Sequence, residues 1–406
     1  MLIVKQCSSS CSSVLSGWKG EITKLDILRY SQASGSLHIK QMNSLAQITA
    51  IVPRLPPAVD GLGDYGLNLA RQLRQDFGLV TEFIVGDPTW AGEASVDGFI
   101  VKQVAAQSVA ALLDLLPRQQ VSTTVLLHYV GYGYAKRGSP VWLVEGLEGW
   151  RKVASNRCLV TMFHEIYAFG AIWTSQFWTS PLQKSLAARL ALLSDSCLTS
   201  KQGYAEKLYQ LSRGKHVAIP TLPVFSTVGE PSQVLPLIER PRRLVVFGNR
   251  GPRSRVYQRS RLALERTCRE LEIEEIVDIG PSVGFELEPI NGITVTHLGV
   301  KSDPEISSLL SSSVVGFFDY ATEYLAKSTI FAAYCAHRVI PVGVFYEGLN
   351  VDGLEAGKHY WLGDRYAGSM NLLEGQVVAD NAYAWYQNHN LSANARAFAT
   401  CMMSDT

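Results

Sequence analysis

Apolar runs of strand length alternate with helical patterns along most of this chain. Continuous apolar segments occur at 46–52, 80–86, 124–130 and 158–163, with helical spacing between them at 64–77 and 104–116. Strands buried on both faces stay apolar without alternation, and parallel neighbours need crossovers of a dozen or more residues. Residues 181–193 predict a helix with Pro181 in its first turn, followed by a strand at 197–200 and a helix at 202–211. At 219–241, five prolines and weak periodicity mark a linker. The alternation then restarts with strands at 243–248, 275–279, 293–298, 314–318 and 339–345, and helices at 257–271 and 328–336. The tail at 378–400 predicts one or two further helices. The expected fold class is α/β, with two Rossmann-like, doubly wound parallel-sheet domains facing a cleft. Domains are expected at 46–225 and 242–375, joined by a linker at 226–241. The C-terminal helices are expected within 376–406.

At 406 residues the chain is long enough for each domain to bury a core. An apolar content of 47% and a charged content of 18% describe a globular protein and exclude a largely disordered one. The net charge of +1 argues against a nucleic-acid surface covering the molecule. No apolar run reaches the roughly 18 residues of a membrane-spanning helix, which leaves peripheral membrane contact open. The seven cysteines form no pair of CxxC motifs, so a structural zinc site is not expected. Their dispersal among apolar residues suits reduced thiols and a cytoplasmic location. Residues 1–45, which include Cys7 and Cys11, are Ser-rich and weakly periodic. They predict a disordered extension, or a start placed ahead of Met42.

Four segments carry candidate chemistry. In 53–70, PRLPPAVDGLGDYGLNLA, a strand feeds a Pro/Gly loop that opens an amphipathic helix. Gly61 and Gly63 permit a tight turn and close approach to a bound group, and Asp64 is the expected helix cap. Such a turn also serves as plain punctuation. The strand Leu159–Phe163 ends on His164-Glu165, which places both side chains at the sheet's carboxyl edge. There a histidine can contact a sugar hydroxyl or a phosphate, or simply close the strand. After strand 243–248 come Gly248 and Arg250, Arg253 and Arg255, suited to clamping a diphosphate. A solvated basic loop is the alternative. After strand 314–318, Glu323 can accept from sugar hydroxyls, Lys327 stands near a helix start, and Ser328 or Thr329 can cap it. The aromatic run around Tyr129, Tyr132 and Tyr134 can stack on sugar rings or pack a loop.

With these segments in hand, residues 46–375 resemble the GT-B glycosyltransferases, specifically the large retaining family 4 type. The resemblance implies a nucleoside-diphosphate sugar donor held mainly by the C-terminal domain and an acceptor held mainly by the N-terminal one. It implies that His164 contacts the transferred sugar, with Glu165 and Asp64 as further catalytic candidates. Gly61, Gly63, Arg250, Arg253, Arg255, Lys327, Ser328 and Thr329 would bind the donor diphosphate. Gly248 and Glu323 would contact its nucleoside or sugar, and Tyr129, Tyr132 and Tyr134 the acceptor. The family carries two glutamates with seven residues between them, whereas here Glu323 is followed eight positions later by Phe331. No Asp-x-Asp motif occurs, so metal-independent transfer with no cofactor beyond the donor is expected. The expected partners are that donor and a carbohydrate or lipid-linked acceptor, with no nucleic acid. A nucleotide-sugar epimerase and a non-catalytic sugar-nucleotide or glycan binder are the alternatives. A dinucleotide-dependent oxidoreductase is not expected, because the first βα turn lacks GxGxxG and no acidic residue sits at the ribose position.

Overall fold

A computed structural model describes residues 47–403 except 59, 119–122, 155, 169–174, 348–350 and 366–367. The expected extension at 1–45, with Cys7, Cys11 and Met42, lies outside the described residues. Among those residues the first sheet has strands β1 (Gln47–Val52), β2 (Val80–Val85), β3 (Ser95–Val96), β4 (Phe99–Gln103), β5 (Thr123–Tyr129), β6 (Arg157–Phe163) and β7 (Ser196–Thr199). Their spatial order is β3-β4-β2-β1-β5-β6-β7, parallel throughout except for the β3–β4 pair. Its helices are α1 (Gly61–Phe77), α2 (Val109–Leu115), α3 (Gly131–Tyr134), α4 (Val141–Val153), α5 (Ser175–Leu193) and α6 (Gln202–Leu211).

The second sheet holds β8 (Arg243–Phe247), β9 (Glu275–Ile279), β10 (Val295–Gly299), β11 (Val315–Phe317), β12 (Ile340–Gly343) and β13 (Trp361–Leu362). They run all parallel in the order β10-β9-β8-β11-β12-β13. With them go α7 (Arg250–Gln258), α8 (Arg261–Glu270), α9 (Asp303–Ser311), α10 (Thr329–Ala336), α11 (Leu372–Gln387) and α12 (Leu391–Met403). Both sheets are α/β and doubly wound. In the first, β1 lies between β2 and β5; in the second, β8 lies between β9 and β11. At these switch points successive connections leave in opposite directions and open a crevice at the strands' carboxyl ends. The central strands are buried on both faces, as their unbroken apolar runs require.

Several boundaries differ from those the sequence predicts. Helix α1 starts at Gly61, and its cap is Asp60 rather than Asp64: Asp60 Oδ1 accepts from the Leu62 and Gly63 amides at 2.9 and 3.3 Å. Helix α5 begins at Ser175, which puts Pro181 inside it. The arginine-rich segment after β8 is helical from Arg250, so the single helix expected at 257–271 is two. Neither β4 nor α9 was anticipated. Strand β4 lies between β2 and the two-residue edge strand β3, from which a left-handed Asp97-Gly98 turn leads into it, and α9 opens with a Ser302–Glu305 capping box.

The C-terminal helices divide between the sheets. Helix α11 packs on α10 and β12, whereas α12 packs on α1 and β6 of the other half. Glu230 holds the turn between them by accepting from the Leu391 amide at 2.8 Å and from the Tyr386 hydroxyl. Tyr65 in α1 donates to Asn394 in α12 at 3.1 Å.

Candidate active site

Between the carboxyl edges of the sheets runs a cleft of about 970 Å³, with a smaller cavity of about 190 Å³ beside it. Glu165 from the first half and Lys327 from the second line both, and they meet across the cleft at 2.9 Å. Glu165 follows β6, and Lys327 ends the 3-10 turn Thr322–Lys327 ahead of α10. Each sits where its sheet's strands deliver side chains to the crevice.

His164 lines the smaller cavity at the end of β6, fixed by its amide donating to the Tyr129 carbonyl at 3.0 Å. Its Nε2 lies 3.1 Å from Nδ1 of His128, a buried residue of β5. Burial, then His128 and the Lys327 ammonium, hold the His164 imidazole well below the usual histidine range, so it is neutral. Burial likewise lowers His128 to about 3. Tyr65 packs edge-on against both rings, with centroids 4.9 Å from His164 and 5.7 Å from His128, and stacks on Phe225 at 4.2 Å. Tyr65 of α1 therefore packs against the histidine pair and is itself backed by Phe225.

The smaller cavity also takes in Gly61 at the start of α1 and Thr329 at the start of α10. A Cβ at Gly61 would meet nothing within 4 Å, so a ligand can reach that backbone. Ser328, not Thr329, caps α10, its Oγ accepting from the Phe331 amide at 3.2 Å. The wall of the larger cleft is cationic and aromatic. Lys201, just after β7, donates to the Glu323 carbonyl at 2.6 Å and lies 4.1 Å from the Tyr324 ring centroid. Tyr204 from α6 completes that wall, and burial raises the hydroxyls of Tyr204 and Tyr324 to about 12. Tyr132, 42% exposed, stands at the first half's rim.

Not every expected residue reaches this place. Gly63 is buried, and a Cβ there would collide with the Arg54 carbonyl oxygen, so this glycine serves the packing of α1. Asp64 lines neither cavity; it is half-buried near Asp303, Asp60 and Arg71, and burial with the two carboxylates raises it to about 6. Tyr129 and Tyr134 are fully buried in the first half's core, where neither can face an acceptor. Arg253 is 1% exposed and forks onto Asp278 in β9, which also accepts from Tyr257 at 2.8 Å. It ties α7 to β9 and is not available to a diphosphate. Arg255 donates to the Asp319 carbonyl at 3.0 Å. Arg250 is exposed and donates to the Val283 carbonyl at 3.0 Å. Gly248 has a φ of 119°, a conformation that favours glycine, and a Cβ would strike Ile330. Glu323 lines the larger cleft. His128, Lys201, Tyr204 and Tyr324 were not anticipated. Lys201 obeys the same end-of-strand rule that singled out His164, whereas a histidine inside β5 looks like any polar strand residue.

No family model and no curated protein matches this sequence. Solved structures do match. The E. coli structure of trehalose-6-phosphate bound with UDP-2-fluoro glucose superposes with a TM-score of 0.56 at 11% identity, covering 89% of this chain and 100% of that one. An alpha-glucosyltransferase in complex with UDP gives 0.56 at 9% identity, over 88% and 100% of the chains. The lipopolysaccharide outer core galactosyltransferase WaaB gives 0.53 at 12% identity, over 88% and 99%. The fold is GT-B. At such identities the likeness concerns architecture, two parallel sheets around one cleft, and assigns no substrate. Phe331 is buried among Phe318, Tyr360 and Trp385. Among the described residues no helix is long and apolar enough to cross a membrane.

Proposed function

We propose that this chain is a glycosyltransferase that moves a sugar from a nucleoside-diphosphate donor to an acceptor hydroxyl. The observation that carries the reading is the meeting of Lys327, at the start of α10, with the His164-Glu165 pair at the end of β6. A cation and a helix N-terminus suit the charge that develops on a departing diphosphate, and a fixed neutral imidazole suits a sugar hydroxyl. The donor diphosphate would displace Glu165 from Lys327 and lie along Thr329 and Gly61. The glycosidic bond to the diphosphate breaks, the acceptor oxygen bonds to the anomeric carbon, and its proton passes to the leaving group. Retention of configuration, metal independence and membership of family 4 are parts of this proposal that rest on the resemblance. Tyr132 and the Tyr204–Tyr324 wall would hold a carbohydrate or lipid-linked acceptor, and the reaction would run in the cytoplasm.

A non-catalytic sugar-nucleotide binder is the second reading, and the apolar Phe331 favours it. A thermal-shift screen against UDP-, GDP-, ADP- and TDP-sugars, followed by donor hydrolysis, separates the two. Transfer chemistry predicts stabilisation by one nucleotide class, and slow hydrolysis that His164→Ala abolishes while leaving the stabilisation. Stabilisation without hydrolysis or transfer to any acceptor would favour the binder. No stabilisation by any sugar nucleotide would overturn both.

A further inference from the structure

Two ammonium groups in the larger cleft share one pair of phenol rings, and only one of them is neutralised. The Lys201 Nζ, from the first half, lies 5.3 Å from the Tyr204 ring centroid and 4.1 Å from that of Tyr324. The Lys327 Nζ, from the second half, lies 5.7 and 5.8 Å from the same two centroids. Lys327 has Glu165 at 2.9 Å. Lys201 is 8% exposed, and its hydrogen bond, at 2.6 Å, goes to the uncharged carbonyl of Glu323. Among the described residues it forms no ion pair of 4 Å or less.

Burying an ammonium without a counter-charge is costly, and the cost is recovered only where something supplies that charge. Asp352 and Glu323 act on Lys201 from longer range, and Asp352 Oδ1 is already taken by the Gln202 amide at 2.7 Å. Position indicates which ligand supplies it. His164, Gly61 and Thr329, where the donor is placed, line only the smaller cavity. Lys201 and Tyr204 line only the larger cleft, and Lys327 with Glu165 stands between the two. Lys201 therefore faces the space left for the acceptor.

We propose that Lys201 binds a phosphate on the acceptor, so that the sugar receiving the transferred group is a phosphorylated one. This narrows the acceptor of the transferase proposed above and depends on that reading. Lysine, a compact point charge, suits a phosphate, whereas flat bidentate recognition of a carboxylate uses arginine. An aromatic wall with a few fixed polar groups suits the sugar ring that carries the phosphate. Each half of the cleft then supplies one cation to one substrate: Lys327 to the donor diphosphate and Lys201 to the acceptor phosphate.

The test is isothermal titration of the full chain with glucose, glucose 1-phosphate and glucose 6-phosphate, with and without the nucleoside diphosphate that screening selects. Wild type is expected to bind at least one of the phosphates tenfold or more tighter than glucose. Lys201→Gln, which keeps a donor for the Glu323 carbonyl but not the charge, should remove that preference, a loss of about tenfold or 1.4 kcal/mol. Lys201→Arg should restore most of it. Lys327→Ala should instead cost the nucleoside diphosphate more than the sugar phosphate. Thermal melting checks that the variants remain folded, and the wild-type preference is read without any variant. No preference for a phosphate over glucose would overturn the proposal. So would an undiminished preference in Lys201→Gln, which would make Lys201 a cation of the fold alone. A loss in Lys201→Gln that falls on the nucleoside diphosphate, and not on the sugar phosphate, would move Lys201 to the donor site and overturn it equally. Sugar-phosphate binding that depends on Lys201, in a chain that binds no nucleoside diphosphate, would keep the phosphate site and defeat the transferase.

Discussion

At the scale of a residue, one hydrogen bond decides which nitrogen of His164 faces the cleft. Among the described residues His128 Nε2 is buried without a partner, and a buried N–H left unpaired is rarer than a buried lone pair left so. The His128 proton therefore belongs on Nδ1, donated to His164 Nε2, and the neutral His164 carries its own proton on Nδ1. In the proposed transferase that N–H is offered to the sugar. Because an Asn side-chain amide can mimic the Nδ1 donor, His128→Asn is expected to keep turnover near wild type. His128→Phe is expected to lose about tenfold in kcat, the worth of one hydrogen bond of roughly 1 kcal/mol or slightly more, with donor KM little changed. Equal turnover in the two variants would contradict this. His164 was legible because a histidine ending an apolar strand must sit at the sheet's edge. Arg253 was misread for the same reason: its position after β8 is right, but Asp278, which captures it, lies on a strand that only folding brings near.

Among the elements, α1 shows how a favourable rule reverses. An acidic residue in a first turn normally stabilises a helix. Asp60 already takes the Leu62 and Gly63 amides, and Asp64 is left half-buried beside Asp303 of α9. Its folded carboxyl titrates near 6, above the unfolded 3.8, so the native state is favoured while the group is protonated. That advantage is complete below about pH 4 and is lost as pH rises through about 6. Replacing Asp64 with Asn should therefore raise the melting temperature at neutral pH and change little near pH 4. A gain of equal size at both, or a loss at neutral pH, would contradict the account. Most of the strands were legible from apolar runs. Helix α7 was not, because a Gly-Pro-Arg segment has helical propensity too weak to outweigh its loop-like composition. The capping box Ser302-Asp303-Pro304-Glu305 is the sequence signal that marks the start of α9.

Across the whole molecule the sequence could place residues at sheet edges but could not say which edges face each other. The inter-sheet contacts Lys327–Glu165 and Lys201–Glu323, and the return of α12 onto α1, depend on how the two halves dock. Those contacts make the central claim measurable: Lys327, held by Glu165 in the free protein, is the anchor for a donor diphosphate. Isothermal titration with the nucleotide sugar selected by screening, on wild type, Glu165→Gln and Lys327→Ala, tests it directly. The account predicts that Glu165→Gln binds as tightly as wild type or tighter, since the ammonium no longer has to leave a carboxylate, while Lys327→Ala binds at least tenfold more weakly, about 1.4 kcal/mol. Unchanged affinity in Lys327→Ala would contradict the donor site at the cleft.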